Sequence, residues 1–138
     1  MRRKTFGKRL VDHQAIRMKL AEMARQIESL QDTIERITYQ FDNKTDDRIM
    51  GGQCALLKVT ASKTYEFCAR EASQVFGGSS IVQEGSGKVV EMLYRGVRAT
   101  AIPGGSEEIL LDFAIRQVNI VNLKCKSMDS EHYKTTEN

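Results

Sequence analysis

The feature that most constrains this chain is a run of apolar residues at alternating spacings of four and three. Ile16, Leu20, Met23, Ile27, Leu30, Ile34, Ile37 and Phe41 keep that rhythm without a break. Such a seam lies along one side of an α-helix and calls for a partner helix beside it. It predicts a long helix from Val11 to about Phe41, with Ala15, Ala21 and Ala24 widening the seam near its start. The stretch "DNKTDD" (42–47) then supplies turn and cap residues.

A second helix is predicted from Met50 to Phe76. Cys54, Leu57, Ala61, Thr64, Cys68, Ala72 and Val75 trace its inner face, and their small size requires a neighbour to come close. "GGSSIVQEGSG" (77–87) ends it with glycines able to adopt left-handed backbone. Residues 89–99 read as a short helix with Val89, Val90, Leu93 and Val97 inside. A last helix from Ser106 to about Leu123 is apolar nearly all round, which implies burial on more than one side. No internal repeat or strand-like alternation is present. The expected fold is all-α, an antiparallel bundle of the four-helix type with three long helices, one short one, and the fourth long helix missing from the sequence or supplied by another chain. Residues 1–123 form the bundle domain, and 124–138 are expected to be a frayed polar tail.

Composition excludes several classes. Of 138 residues, 41% are hydrophobic and 28% charged, with no tryptophan and one proline, as expected of a soluble folded protein. No apolar run is long enough to span a membrane. The net charge of +3 is concentrated at the start, where Arg2, Arg3, Lys4, Lys8 and Arg9 stand without an acidic residue. That end could meet an anion, but a short basic cluster is more often solvated, and nucleic-acid binding lacks stacking aromatics beyond Phe6. Cys54, Cys68 and Cys125 have no metal-knuckle spacing and are expected to be reduced thiols of an intracellular protein. His13 reads as a surface or capping residue, Glu66 and Glu71 as solvent-facing. No metal cluster, catalytic triad or catalytic dyad stands out.

Three segments do not fit a plain bundle: "RKTFGKRLVDHQ" (3–14), "QVFGG" (74–78) and "AIPGGSEEI" (101–109). A helix start with free N–H groups can hold phosphate. At Ser106, however, Glu107 and Glu108 complement the helix dipole themselves and would repel an anion, so a capped helix start is the physical expectation.

Taken in order, "RKTFGKRLVDHQAIRMKLAEMA" (3–24), "REASQVFGG" (70–78) and "YRGVRATAIPGGSEEI" (94–109) resemble the C-terminal domain of the flavin-dependent acyl-CoA dehydrogenases. That family carries R-x-x-F-G-x-x-[LI]-x-x-x-Q, then Q-x-F-G-G, then R-D-A-[RK] leading to G-[TS]-x-[EQ]-[IV]. The resemblance spans residues 3–117. It implies a four-helix bundle packed on two further domains, homo-oligomers (dimers or tetramers), FAD at a subunit boundary, and an acyl-CoA substrate dehydrogenated between its α and β carbons. By matched position, Arg3, Lys4 and Thr5 fall near the FAD phosphates and Phe6 beside the cofactor. Gln14, Gln74, Val75, Phe76, Gly77 and Gly78 contact it, as do Ser106, Glu107 and Glu108, while Gly105 belongs to the substrate side. The glutamate that serves many members as catalytic base aligns with Gly104, which has no side chain, so no catalytic residue is assigned. Other members carry that base on the bundle's first helix, most of which this sequence lacks. Gly96 stands where the family has an aspartate and Ser80 where it has a glycine. The implied activity is that of an FAD-dependent oxidoreductase, with the chain by itself inactive. The alternative is a non-catalytic oligomerisation module built on the same bundle. The organelle (mitochondrial, peroxisomal or cytoplasmic) is left open.

Overall fold

The computed structural model describes residues 4–118; Arg3, Cys125 and the tail 124–138 lie outside them. The first element is a two-stranded antiparallel hairpin, β1 (Lys4–Thr5) and β2 (Lys8–Arg9). The sequence shows no alternation here because each strand is two residues long. Phe6 and Gly7 make its tight turn with φ of +50° and +74°, positive at both central residues as a type I′ turn requires.

Helix α1 (Gln14–Asp42) carries the seam. It ends in a Schellman motif: Lys44 takes φ +55°, its N–H reaches the Phe41 carbonyl, and the Thr45 N–H reaches that of Gln40. Helix α2 (Asp47–Phe76) then runs back along α1. Lys19 bonds Glu71 and Arg36 bonds Gln53, so the register is antiparallel.

Helix α2 is the centre of the fold. Met50, Ala55, Val59, Ala69 and Val75 are buried on it, as are Ser62 and Thr64. Burial follows several faces rather than one stripe, because α2 has neighbours on more than one side. The expected inner face is therefore only part of the contact: Thr64 and Val75 are buried, while Cys54, Leu57, Ala61, Cys68 and Ala72 are half-buried.

After a turn over 77–87, helix α3 (Lys88–Ala101) descends along the second half of α2, with the Tyr65 hydroxyl donating to the Leu93 carbonyl at 2.6 Å. The chain breaks at 102–106. Helix α4, described over 107–118, continues along the first half of α2: Glu107 lies by Lys63, and Gly51 and Gly52 lie under Phe113, Ala114 and Gln117. The glycines of α2 allow that approach. Thus α3 and α4 follow one another in the same direction along α2.

The fold is all-α, as expected for a bundle of this family, with local corrections. Val97 is buried as expected, but Val89 and Leu93, also expected inside, are exposed, because Ala101 rather than they completes the buried face of α3. Along the α1 seam only Ile37 is fully buried, at 4% exposure, whereas Ile27, Ile34 and Phe41 remain exposed. One helix, α2, covers α1, and a full heptad stripe is wider than one neighbour can bury. On α4, Ala114 is buried, but Ile109 and Ile115 are 63% and 62% exposed.

Candidate functional site

The N-terminal hairpin is held to α1 by His13. Its Nε2 lies 3.1 Å from the Thr5 carbonyl oxygen and 2.9 Å from the Thr5 hydroxyl. A carbonyl only accepts, so Nε2 donates. His13 caps α1 by position without a side-chain cap bond; its ring docks the hairpin instead. Phe6 then stands at the tip, 97% exposed, touching only the edge of the His13 ring, with centroids 6.4 Å apart. An exposed aromatic in left-handed backbone is costly, and it is presented outward.

The basic start is partly neutralised. Arg9 makes two 3.0 Å bonds to Asp12, and Arg17 donates to the Asp12 carbonyl at 2.7 Å. The Arg9 hydrogen bond holds the Asp12 carboxyl below its ordinary range. Lys4 and Lys8 remain exposed on the hairpin.

At the far end of α2, Gln74 is exposed, Val75 buried and Phe76 half-buried. Gly77 turns the chain with φ +60°, and a Cβ at Gly78 would meet nothing within 4 Å. Behind this turn Ser80, 3% exposed, sits 2.7 Å from the Gly77 carbonyl, 3.1 Å from the Ser73 carbonyl and 2.8 Å from the Ser73 hydroxyl. The serine that departs from the family pattern therefore staples the turn shut.

Below it, Lys19 of α1 bonds Glu71 of α2, and Arg70 approaches the same carboxylate at 2.9 Å. Glu71 is 8% exposed, which corrects the solvent-facing expectation. The Lys19 bond outweighs burial and lowers the Glu71 pKa. Glu66 is exposed, as expected. With this register, Gln14 at the start of α1 lies across from the end of α2. The structure thus brings Lys4, Thr5, Phe6 and Gln14 to the same end of the bundle as Gln74–Gly78.

Ser106, Glu107 and Glu108 are not at that end. Glu107 lies 3.4 Å from Lys63, and from Lys63 to Gln74 the helix rises about 16 Å at 1.5 Å per residue. Ser106 precedes α4, and its carbonyl accepts from the Leu110 N–H at 3.0 Å. The Glu108 carboxyl is held below its ordinary range by its own backbone N–H and then by the Ser106 hydroxyl. Both glutamates therefore have local work at a helix start, as helix physics alone predicts. Gly104 and Gly105 take φ of +76° and +112°. A Cβ at Gly104 would face open space, whereas one at Gly105 would meet Leu110 at 2.9 Å.

Two groups escape sequence reasoning. Lys58 donates to the carbonyls of Ala101 and Gly105, and a lysine beside a stripe of small residues was the available signal. The Ser73–Ser80 pair left none. Among the described residues no cluster of His, Cys, Asp or Glu could hold a metal ion, and no helix is long and apolar enough to cross a membrane. An apolar groove of about 200 Å³ lies between α1, α2 and α3, lined by Met23, Tyr65, Cys68, Ala69, Val90 and Leu93 among others. It is smaller than the usual ligand pocket, and burial raises the Cys68 thiol pKa, which disfavours the reactive thiolate.

Residues 1–119 match the family model for the acyl-CoA dehydrogenase C-terminal domain. The chain is 41% identical over 130 residues to the acyl-CoA dehydrogenase AFT10-1 of Alternaria alternata, covering 91% of this chain and 30% of that protein. It is 36% identical over 121 residues to the acyl-CoA dehydrogenase apdG of Emericella nidulans, covering 86% and 28%. It is 29% identical over 110 residues to the acyl-[acyl-carrier-protein] dehydrogenase MbtN of Mycolicibacterium paratuberculosis, covering 80% and 26%. The chain thus spans under a third of the length of these relatives.

Proposed function

The chain belongs to the acyl-CoA dehydrogenase family, matching its C-terminal domain, and from that premise we propose that it is the flavin-binding helical part of an oxidoreductase that desaturates acyl thioesters between the α and β carbons. The observation carrying this reading is that the antiparallel register of α1 and α2 puts the lysine-bearing hairpin with exposed Phe6, Gln14 and the Gln74–Gly78 turn at one end of the bundle.

These residues fit FAD. Lys4 and Lys8 offer charge to phosphates, the open space at Gly78 lets a ligand approach backbone, and Phe6 offers a face for a ring. Thr5, Phe6, Gln14, Gln74, Gly77 and Gly78 would hold one portion. Ser106, about 16 Å along α2, would meet another portion of the same extended dinucleotide, or of a second one in a homo-oligomer. When bound, FAD supplies the acceptor for the β-hydrogen as hydride.

The remaining chemistry is removal of the α-proton, which needs a carboxylate within hydrogen-bond reach of the α-carbon. The 104–108 segment does not provide one: Gly104 has no side chain, Glu107 is paired with Lys63, and Glu108 is made a weaker base by the bonds from its own N–H and Ser106 that stabilise its carboxylate. No carboxylate of the described 104–108 segment fills that role, and the chain alone does not turn over. The substrate is an acyl-CoA, with an acyl-carrier-protein thioester as the variant that the name of MbtN suggests. The free thiols Cys54 and Cys68 suit an intracellular setting.

The test is flavin retention by the purified protein together with its natural flanking sequence. Gln74→Ala and Phe6→Ala are each expected to weaken retention about tenfold, the equivalent of about 1.4 kcal/mol. Retention unchanged in both, or no flavin on the wild-type oligomer, would overturn the reading. A second reading, a non-catalytic oligomerisation module, is favoured by Gly104 together with exposed Ile109 and Ile115. It predicts self-association without flavin, and light scattering paired with flavin absorbance separates the two.

A further inference from the structure

We propose that Lys58 is a positioning residue: its ammonium sets the shape of the 101–105 break and thereby the placement of Ser106 and Glu108. The inference rests on the reading of 104–108 as part of the flavin site for its functional meaning, but its geometry stands without that reading.

The break has specific causes. Helix α3 ends at Ala101, where the Ile102 N–H makes the last helical bond, to Arg98 at 3.1 Å. Pro103 has no N–H to continue the ladder, and Gly104 and Gly105 turn left-handed. The last carbonyls of a helix then lack partners and carry the negative end of its dipole. Lys58, half-buried on α2, reaches across and donates to the Ala101 carbonyl, the last of α3, and to the Gly105 carbonyl at 2.8 Å. One cation therefore closes the loop from both ends, drawing it around its own ammonium. Immediately beyond Gly105 come Ser106, which caps α4, and Glu107, which meets Lys63 of α2 at 3.4 Å. Lys63 is well exposed, and such a pair contributes little; a charged donor to two carbonyls in a half-buried setting is the stronger pin.

The placement of Ser106 is thus determined from α2. Without the ammonium, two carbonyls lose their donor, and the break is left to the exposed Lys63–Glu107 pair and the packing of α4 on Gly51 and Gly52. Lys58→Met keeps most of the side-chain volume and removes the donor. Lys58→Arg keeps charge and donors.

Hydrogen–deuterium exchange of the full protein, read by mass spectrometry, compares residues 101–108 with α1. Lys58→Met is expected to speed exchange at 101–108 by about tenfold or more, since each bond from a charged donor is worth enough to matter on that scale. Exchange in α1 should stay within about twofold, and Lys58→Arg should restore most of the protection. In the flavin-loaded protein, Lys58→Met should alter the flavin's visible absorption band and Lys58→Arg should return it. The proposal is overturned by unchanged exchange at 101–108, by a uniform rise in all helices of the folded variant, by Arg behaving like Met, or by an unaltered flavin band despite a loosened break. Should Lys58→Met fail to fold, Lys58→Gln is read by the same criteria. Loss of flavin from the wild type itself would sink the flavin reading alone, leaving exchange to judge Lys58.

Discussion

Two glycine-rich turns flank α3, and a glycine in each, Gly87 and Gly104, is there for opposite reasons. In the turn over 77–87, Gly87 has an ordinary negative φ but no space: a Cβ there would stand 1.9 Å from the Ser79 carbonyl oxygen. In the break over 103–105, Gly104 has space all round and an unusual backbone, φ +76°. The first turn is packed shut by Ser80 and anchored nearby by the Lys19–Glu71 pair. The second is open and pinned from outside by Lys58. Gly87 therefore marks a closed point of its turn, whereas Gly104, like Gly78 in the first turn, is accessible.

The sharpest way to break this comparison is Gly87→Ala. The added methyl must displace backbone rather than a flexible side-chain end, and overpacking of that kind costs about 3 kcal/mol. Denaturant unfolding should show the loss as a lower midpoint with an unchanged slope. A loss below about 1 kcal/mol, less than overpacking typically costs, would mean that the turn is not closed as described.

The two anchors also differ in what pH can do to them. Glu71 has a folded pKa below its ordinary 4.5, chiefly because Lys19 hydrogen-bonds it. Its contribution is therefore fully present above about pH 4.5 and is lost as pH falls through the lowered value. The carbonyls that hold Lys58 do not titrate in this range. On acidification from pH 6 towards pH 3, exchange should rise at the end of α2 and the following turn before it rises at 101–105. Glu71→Gln should cost about 1–2 kcal/mol at pH 6, short of the loss from a fully buried pair because Lys19 is one-third exposed. That cost should shrink as pH falls. Simultaneous loosening of both regions would show that the anchors are not independent.

How much of this was legible beforehand depends on the range of the interaction. The helices followed from spacing: α2 ends at Phe76 because Gly77 follows it, and α1 ends where "DNKTDD" begins. The hairpin was hidden because its turn reads Phe-Gly where the usual signal is Asn-Gly, and two-residue strands have no pattern. Glu71 looks like any surface glutamate until Lys19 is brought across from another helix. Lys58 bonds to backbone atoms, and the small residues beside it signal a close neighbour without naming those atoms. The seam of α1 was readable, but its burial was not: Ile37 is covered and Phe41 is not, because coverage depends on which neighbours α1 has. The candidate site shows the same limit. Its motifs are local strings, and the antiparallel register decides that Gln14 and Gln74 share one end of the bundle while Ser106 lies elsewhere.

The smallest effects give the most direct reading of space against conformation. Gly104→Ala adds a methyl to open space but forces an L-residue into left-handed backbone, at about 1 kcal/mol. Gly96→Ala adds one inside α3, where the new Cβ would meet only the Tyr65 hydroxyl at an ordinary 3.7 Å. There alanine removes the helix penalty of glycine, up to about 1 kcal/mol, less whatever the Tyr65 contact takes back. The two variants should shift the melting temperature in opposite directions by about 3 °C or less, Gly104→Ala down and Gly96→Ala up. Equal signs would mean that contact rather than backbone governs one of them. A fall for Gly96→Ala points to Tyr65, whose bond to the Leu93 carbonyl would then be the tie between α2 and α3 that tolerates no displacement. A rise for Gly104→Ala would place the break in a different backbone state, and with it the Lys58 pin that depends on Gly105 turning back towards α2.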